Sequence, residues 1–362
     1  MKMYTYYKKI TFILLIITGC KVYAQETASK KIEKEYAFIN AGKIYLENKY
    51  GDITINGWEK DSLYIIINVV SSHKKKDNAV NLLQRVEFDI DKAGDFISIQ
   101  SEISDKNLSF FAKHFNKVNP FDFDKSNLQI DYTVFLPEYT EINIQNKFGD
   151  IIITDWKGEL EAKLEHGDIW INDEINTVNL EMKFGKLRAK WIKYSHLDIK
   201  NGNVDIEQSE NLRIKSSGSD FNIENVDKME LYSSKDEIKI MNAGNISGNI
   251  DFSDVLIENI SDQVDLTMNL ADLAVYHVIN KDAVVKIEQE SSNISINITG
   301  LAFKFSAMME QGLIRIPKSF SDIKTEIIDE SKKVRTINAR YGINPSGLFE
   351  ISGKKGAVIL KE

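Results

Sequence analysis

The sequence predicts an all-β chain: a right-handed parallel β-solenoid of about ten rungs of 17–21 residues, with a helix-plus-hairpin insertion near the N-terminus. Three observations predict it. A phrase recurs, as KYGDITINGW at 49–58, KFGDIIITDW at 147–156, EHGDIWINDE at 165–174 and KFGKLRAKWI at 183–192. The residue just before each alternating apolar pair falls at Asp150, Asp168, Lys186, Asn203, Asp220, Glu237, Asp254, Asp272 and Asn293, with a tenth at Leu313; the steps are 18, 18, 17, 17, 17, 17, 18, 21 and 20. After each marker, apolar residues alternate, as in Ile151/Ile153, Ile169/Ile171 and Val204/Ile206.

Each repeat carries a second alternating pair, such as Ile142/Ile144, Val178/Leu180 and Leu212/Ile214. Each is therefore strand, turn, strand, turn. Such a repeat cannot enclose a core alone, but stacking repeats in register buries the inward pairs as aliphatic columns. Parallel crossovers are overwhelmingly right-handed, which sets the hand. Gly149, Gly167, Gly185, Gly202 and Gly218 stand at the first turn, where a positive φ is expected. Leucine-rich repeats lack support because no helical half-repeat appears, and the tight period disfavours a β-sandwich.

The ends differ from the middle. Residues 1–24 join a basic stretch with Lys2, Lys8 and Lys9 to an apolar run Ile10–Ile17, which reads as a signal peptide. Two processing readings stay open: cleavage after Ala24, or, with the signal ending at residue 19, lipidation of Cys20 in Ile17-Thr18-Gly19-Cys20. Either exports the protein, to the periplasm or to the outer membrane and cell surface of a bacterium. Residues 25–35 read as a linker and 36–362 as the solenoid domain. Within it, residues 77–140 read as the insertion, with a helical face of Val80, Leu82, Leu83 and Val86, a hairpin after it, and a loop holding Phe110, Phe111, Phe115, Phe121 and Phe123. The C-terminal tail reads as a finish or cap for the far end.

The chain carries a net charge of −8, and removing 1–24 takes away Lys2, Lys8, Lys9 and Lys21 and no acid, giving −12. That disfavours nucleic acid and anionic membrane as partners. Contact with a membrane is expected only through a lipid anchor. One Cys allows no intrachain disulfide or cysteine metal site.

The candidate chemistry is thin. The marker row could bind Ca²⁺ or cleave an acidic polysaccharide, but short polar side chains at a repeating turn are better read as partners for the backbone. His73, His114, His166, His196 and His277 lack ligand spacing, so neither a metal nor a cofactor is expected. Trp58 and Trp156 occupy equivalent positions and are expected to seal rung ends. Trp170 lies between inward Ile169 and Ile171 and so points outward, in a column reading Ile152, Trp170, Arg188, Asp205. With the Arg over the indole, Ile152, Trp170 and Arg188 would form a surface patch for sugar or protein; alternatively the insertion covers them.

The signal peptide, the phrase LENKYGDITINGW at 46–58, the re-entry YTVFLPEYTEINIQNKFGDI at 132–151 and the train of short strands together resemble the bacterial "putative adhesin" family. The resemblance runs over 36–362 and is most specific in 44–58 and 131–206. It implies an exported envelope β-solenoid of unassigned function, without known catalytic residues. The expectation is a monomeric, non-enzymatic binding or structural module whose partner is a polysaccharide or an envelope protein. A carbohydrate-active β-helical enzyme and an envelope-stress sensor are the alternatives.

Overall fold

A computed structural model describes residues 25–104 and 127–362. The expected signal peptide, with Cys20, and the expected phenylalanine loop lie outside the described residues. These hold one helix, α1 (Lys76–Leu83), and 25 strands, so the chain is all-β as expected. Contacts divide it into two units: 25–31, 68–87, 102–104 and 127–130 form the first, and 32–67, 88–101 and 131–362 the second.

In chain order the first strands are β1 (Glu26–Ala37), β2 (Lys43–Lys49), β3 (Ile53–Trp58), β4 (Ser62–His73), β5 (Val86–Ala93), β6 (Phe96–Ile103) and β7 (Leu128–Pro137). The expected linker at 25–35 is therefore mostly β1. Its charged sequence ETASKKIEKEYA carries no alternating apolar pattern and buries no residue fully. In the first unit α1 buries Ala79 and Leu82, with Val80 and Leu83 half-buried. Ser71 Oγ donates to the carbonyl of Ala79 at 2.7 Å.

The second unit continues with β8 (Glu141–Lys147), β9 (Ile151–Thr154), β10 (Glu159–Glu165), β11 (Ile169–Lys183), β12 (Lys186–Lys200), β13 (Asn203–Ser217), β14 (Asp220–Ser234), β15 (Glu237–Asp251) and β16 (Asp254–Asn269). It ends with β17 (Asp272–Val278), β18 (Val284–Glu290), β19 (Asn293–Asn297), β20 (Phe303–Glu310), β21 (Leu313–Arg315), β22 (Ser321–Asp329), β23 (Val334–Tyr341), β24 (Gly347–Lys354) and β25 (Ala357–Lys361). From β11 to β16 the two strands of a repeat fuse into one strand of 15 or 16 residues. The second turn expected within each repeat is an irregularity inside that strand, as at Ile171/Glu174.

Pairing is parallel from repeat to repeat. Ile151 pairs with Ile169, that with Leu187, then Val204, Phe221, Ile238, Val255, Leu273 and Ile294 in turn. Every member is at most 3% exposed. A second column runs Ile142, Leu160, Val178, Ser195, Leu212, Met229, Ile246, Val264. Burying one branched aliphatic side chain is worth roughly 1.5–3 kcal/mol, so these columns are the main source of cohesion.

Sequence order and pairing order part at both ends. β2 lies between β6 and β8, and β3 between β7 and β9, all parallel. Strands within the expected insertion thus extend the ladders. The tail does not finish the far end either: β24 enters between β18 and β20, and β25 between β19 and β21. Asn293 and Leu313 are therefore not neighbours, because Ala357 pairs with both. Beyond β20 the pairing turns antiparallel, through β23 to β22.

The turn glycines also differ from expectation. The left-handed residue is the one before the glycine: Phe148 (φ 57°), His166 (58°), Phe184 (55°) and Asn201 (51°). Gly167 is needed for another reason, since a Cβ there would stand 2.0 Å from the carbonyl oxygen of Gly149. Gly218, at φ 66°, occupies the left-handed position itself, as expected.

Candidate functional site

Two of the strand markers, Asp150 and Asp168, are backbone caps, as is Asp52 in the first phrase. Asp52 Oδ1 accepts the N–H of Asp150, Asp150 Oδ1 that of Asp168, and Asp168 Oδ1 that of Lys186, each at 2.8 Å. A carboxylate spent on an adjacent amide satisfies a donor that the turn would otherwise orphan. Past Lys186 the capping moves one position upstream. Ser219 Oγ accepts the N–H of Gly202 (3.2 Å), Asp236 Oδ1 that of Ser219 (2.8 Å), and Ser253 Oγ that of Asp236 (3.0 Å). Sequence reading passed over this buried Ser/Asp row, which takes the place of the glycines. Among the described residues no group of three or more His, Cys, Asp or Glu is placed to hold a metal.

A second row also escaped notice. The left-handed residues Tyr50, Phe148, His166 and Phe184 stack face to face, at centroid distances of 5.6, 5.2 and 5.0 Å and interplanar angles of 9°, 2° and 5°. The second letter of each recurring phrase was the available signal. The faces of Phe148 and His166 meet ring neighbours on both sides, so these rings offer edges to a ligand. Beside them Glu165 bridges Lys147 (2.9 Å) and Lys183 (3.4 Å). Lys147 holds the Glu165 carboxyl below its ordinary range.

The expected column pairs in register: Ile152 with Trp170, Trp170 with Arg188, and Arg188 with Asp205. Trp170 is half-buried between the buried Ile169 and Ile171, so it points outward, and Arg188 is exposed. Arg188 differs from expectation in its partner. Its Nη2 lies 3.9 Å from Asp205 Oδ2, which Lys186 Nζ also approaches at 2.5 Å. No cation–π contact of Arg188 with Trp170 occurs among the described residues.

The patch continues across the same sheet face. Ile152 pairs with Thr54, Thr54 with Thr133, and two residues further Thr154 pairs with Asn56 and Asn56 with Phe135. There the face ends in a hollow of about 370 Å³ lined by Glu35, Trp58, Lys60, Tyr64 and Phe135. Trp58 and Phe135 have ring centroids 5.5 Å apart, Tyr64 and Phe135 6.2 Å, and both pairs are inclined by 30°. Trp156, the supposed equivalent of Trp58, is 1% exposed, and its Nε1–H donates to Thr140 Oγ1 at 3.1 Å. It seals its repeat as expected, whereas Trp58 is half-exposed in the hollow.

An acidic hollow of about 390 Å³ also opens beside Trp191, lined by residues including Asp173, Glu174, Glu207 and Glu224. Asp173 Oδ2 accepts the N–H of Asp155 at 2.9 Å, and Glu174 pairs with Lys193 at 2.7 Å.

No family model and no curated protein matches the chain. Solved structures to which it is similar are described as a "putative adhesin" or, in one case, a "putative lipid binding protein". One, a "putative adhesin" from Parabacteroides merdae, is 10% identical, with 74% of this chain and 91% of that one covered at a TM-score of 0.37. A "putative adhesin" from Bacteroides fragilis is 14% identical, over 91% and 97%, at 0.28. A "putative lipid binding protein" from Parabacteroides distasonis is 11% identical, over 73% and 93%, at 0.33.

Proposed function

We propose that the second unit winds as a right-handed β-solenoid and serves as a non-enzymatic binding module of the bacterial envelope. The winding is supported by parallel, in-register pairing that repeats every 17 or 18 residues from β9 to β17. One observation carries the binding role: inward columns are mostly aliphatic and buried, while the outward face runs from Trp170 and Ile152 to the half-exposed rings of Trp58, Phe135 and Tyr64. Outward aromatics on a rigid sheet give large contact area at small entropic cost. Export follows from the leader at 1–24, with Cys20 as the anchor if it is lipidated.

Trp170→Ala tests the reading. Adhesion of cells or purified protein to an envelope glycan or envelope-protein surface should fall sharply while the thermal midpoint stays nearly constant; a large loss of stability with adhesion intact sinks it. The acidic hollow favours the second reading, a carbohydrate-active enzyme, with Glu207 and Glu224 as its acid and base. Two of its four carboxylates are already engaged by Asp155 and Lys193, which weighs against it. Release of reducing ends from an acidic polysaccharide, lost in Glu207→Gln, would establish it.

A further inference from the structure

We propose that the hollow formed by Trp58, Phe135 and Tyr64 is a binding subsite for a neutral hexopyranose unit of a glycan chain. The inference rests on the binding reading above and names its ligand. Phe135 stands between buried Val134 and Leu136, and Tyr64 between buried Leu63 and Ile65, so strand alternation turns both rings away from the core. Nothing in the aliphatic columns requires aromatics there.

The three rings differ from the stacked row at Tyr50–Phe184. Their planes are inclined by 30° rather than parallel, and all three residues line one hollow. Trp58 is also fixed in place, because its Nε1–H donates to the carbonyl of Ser62 at 2.7 Å. A ring held before the ligand arrives loses little freedom on binding.

Polar groups at the rim complete the match. Glu35 supplies hydroxyl acceptors and Lys60 hydroxyl donors, and their charges are equal and opposite. A pyranose has an apolar face of C–H groups and a perimeter of hydroxyls, which suits an aromatic wall with a mixed polar rim. An anionic sugar would meet Glu35. A cationic peptide would be repelled by Lys60, whose Nζ sits 4.6 Å from the centre of the Trp58 ring, whereas a neutral sugar can take a hydrogen bond from it. Continuity with Thr54, Ile152 and Trp170 on the same face favours a chain over a lone monosaccharide.

The test titrates the processed full-length protein with cellohexaose, laminarihexaose and mannohexaose as neutral probes, and with hexagalacturonate and a lysine-rich peptide as charged ones. Tryptophan fluorescence and calorimetry report binding. At least one neutral hexasaccharide should bind, and Trp58→Ala and Phe135→Ala should each weaken it roughly tenfold or more, the size expected for losing a buried aromatic contact. If Trp58→Ala fails to fold, Tyr64→Leu and Lys60→Met provide the same readout from the surface. Binding of only the charged probes, binding of none, or neutral binding unchanged by these substitutions overturns the proposal. The adhesion measurement on Trp170→Ala stands apart, so adhesion that depends on Trp170 without sugar binding at Trp58 would refute the subsite alone.

Discussion

Asp236 Oδ1 accepts the main-chain N–H of Ser219, one repeat earlier, at 2.8 Å. Its other oxygen accepts Ser216 Oγ and Ser233 Oγ, both at 2.6 Å, and the N–H of Ser234 at 3.0 Å. The residue is 5% exposed, so losing the carboxylate strands several donors out of reach of water. Asp236→Ala should destabilise the second unit by about 3 kcal/mol, whereas Asp220→Ala, at an exposed marker, should stay within about 0.5 kcal/mol. Denaturant midpoints of the two variants check the contrast.

Gly167 and Gly94 separate two reasons for being glycine. At Gly94 the φ is 61° and a Cβ would meet nothing within 4 Å, so Gly94→Ala should cost about 1 kcal/mol, the penalty of the left-handed region alone. At Gly167 the added carbon would collide with the Gly149 carbonyl, and the backbone must move. Gly167→Ala should cost about 3 kcal/mol or more, and equal costs in thermal unfolding would refute the distinction.

Glu165 ties acid stability to two lysines. Its carboxyl is held low, first by the hydrogen bond from Lys147, so the contribution is present above the ordinary carboxylate pKa and is lost as pH falls through the lowered value. Glu165→Gln should therefore lower stability at pH 7 by under about 1 kcal/mol, since the pair is solvent-exposed. The difference from the parent should vanish near pH 2 and shrink with added salt. A deficit that persists in acid would show that packing, not charge, is responsible.

β24 and β25 support a prediction about truncation. A terminal cap could be removed at the cost of one exposed edge, but these strands separate β18 from β20 and β19 from β21. Deleting residues 347–362 should abolish protection from protease and hydrogen exchange throughout 284–341, while β11 to β15 stay protected. Protection confined to the loss of the last strands would contradict the pairing.

What the sequence discloses follows from what alternation encodes. A period of two assigns each residue to a face, so the buried columns, the outward Trp170 and the 17–18-residue spacing were all legible. It does not assign neighbours: any strand with the right period can pair with β18 or β19, so the entry of β24 and β25 could not be read from alternation. Likewise Trp58 and Trp156 share a phrase, and only the placement of β3 beside β7 sets Phe135 against Trp58. Gly167 misled because a close approach and a positive φ both select glycine. The linker reading failed because β1 is charged along its length.

The placement of β24 and β25 also bears on time. A stack whose layers follow chain order can set each layer as it leaves the ribosome or a translocation pore. Here β20 and β21 have no parallel partner until residues 347–361 arrive. β20 and β21 must wait, with apolar side chains such as Phe303 and Phe305, buried in the folded chain, lacking that cover until residues 347–361 have been made. That interval, absent from the finished molecule, is when a holding chaperone would matter most to this chain.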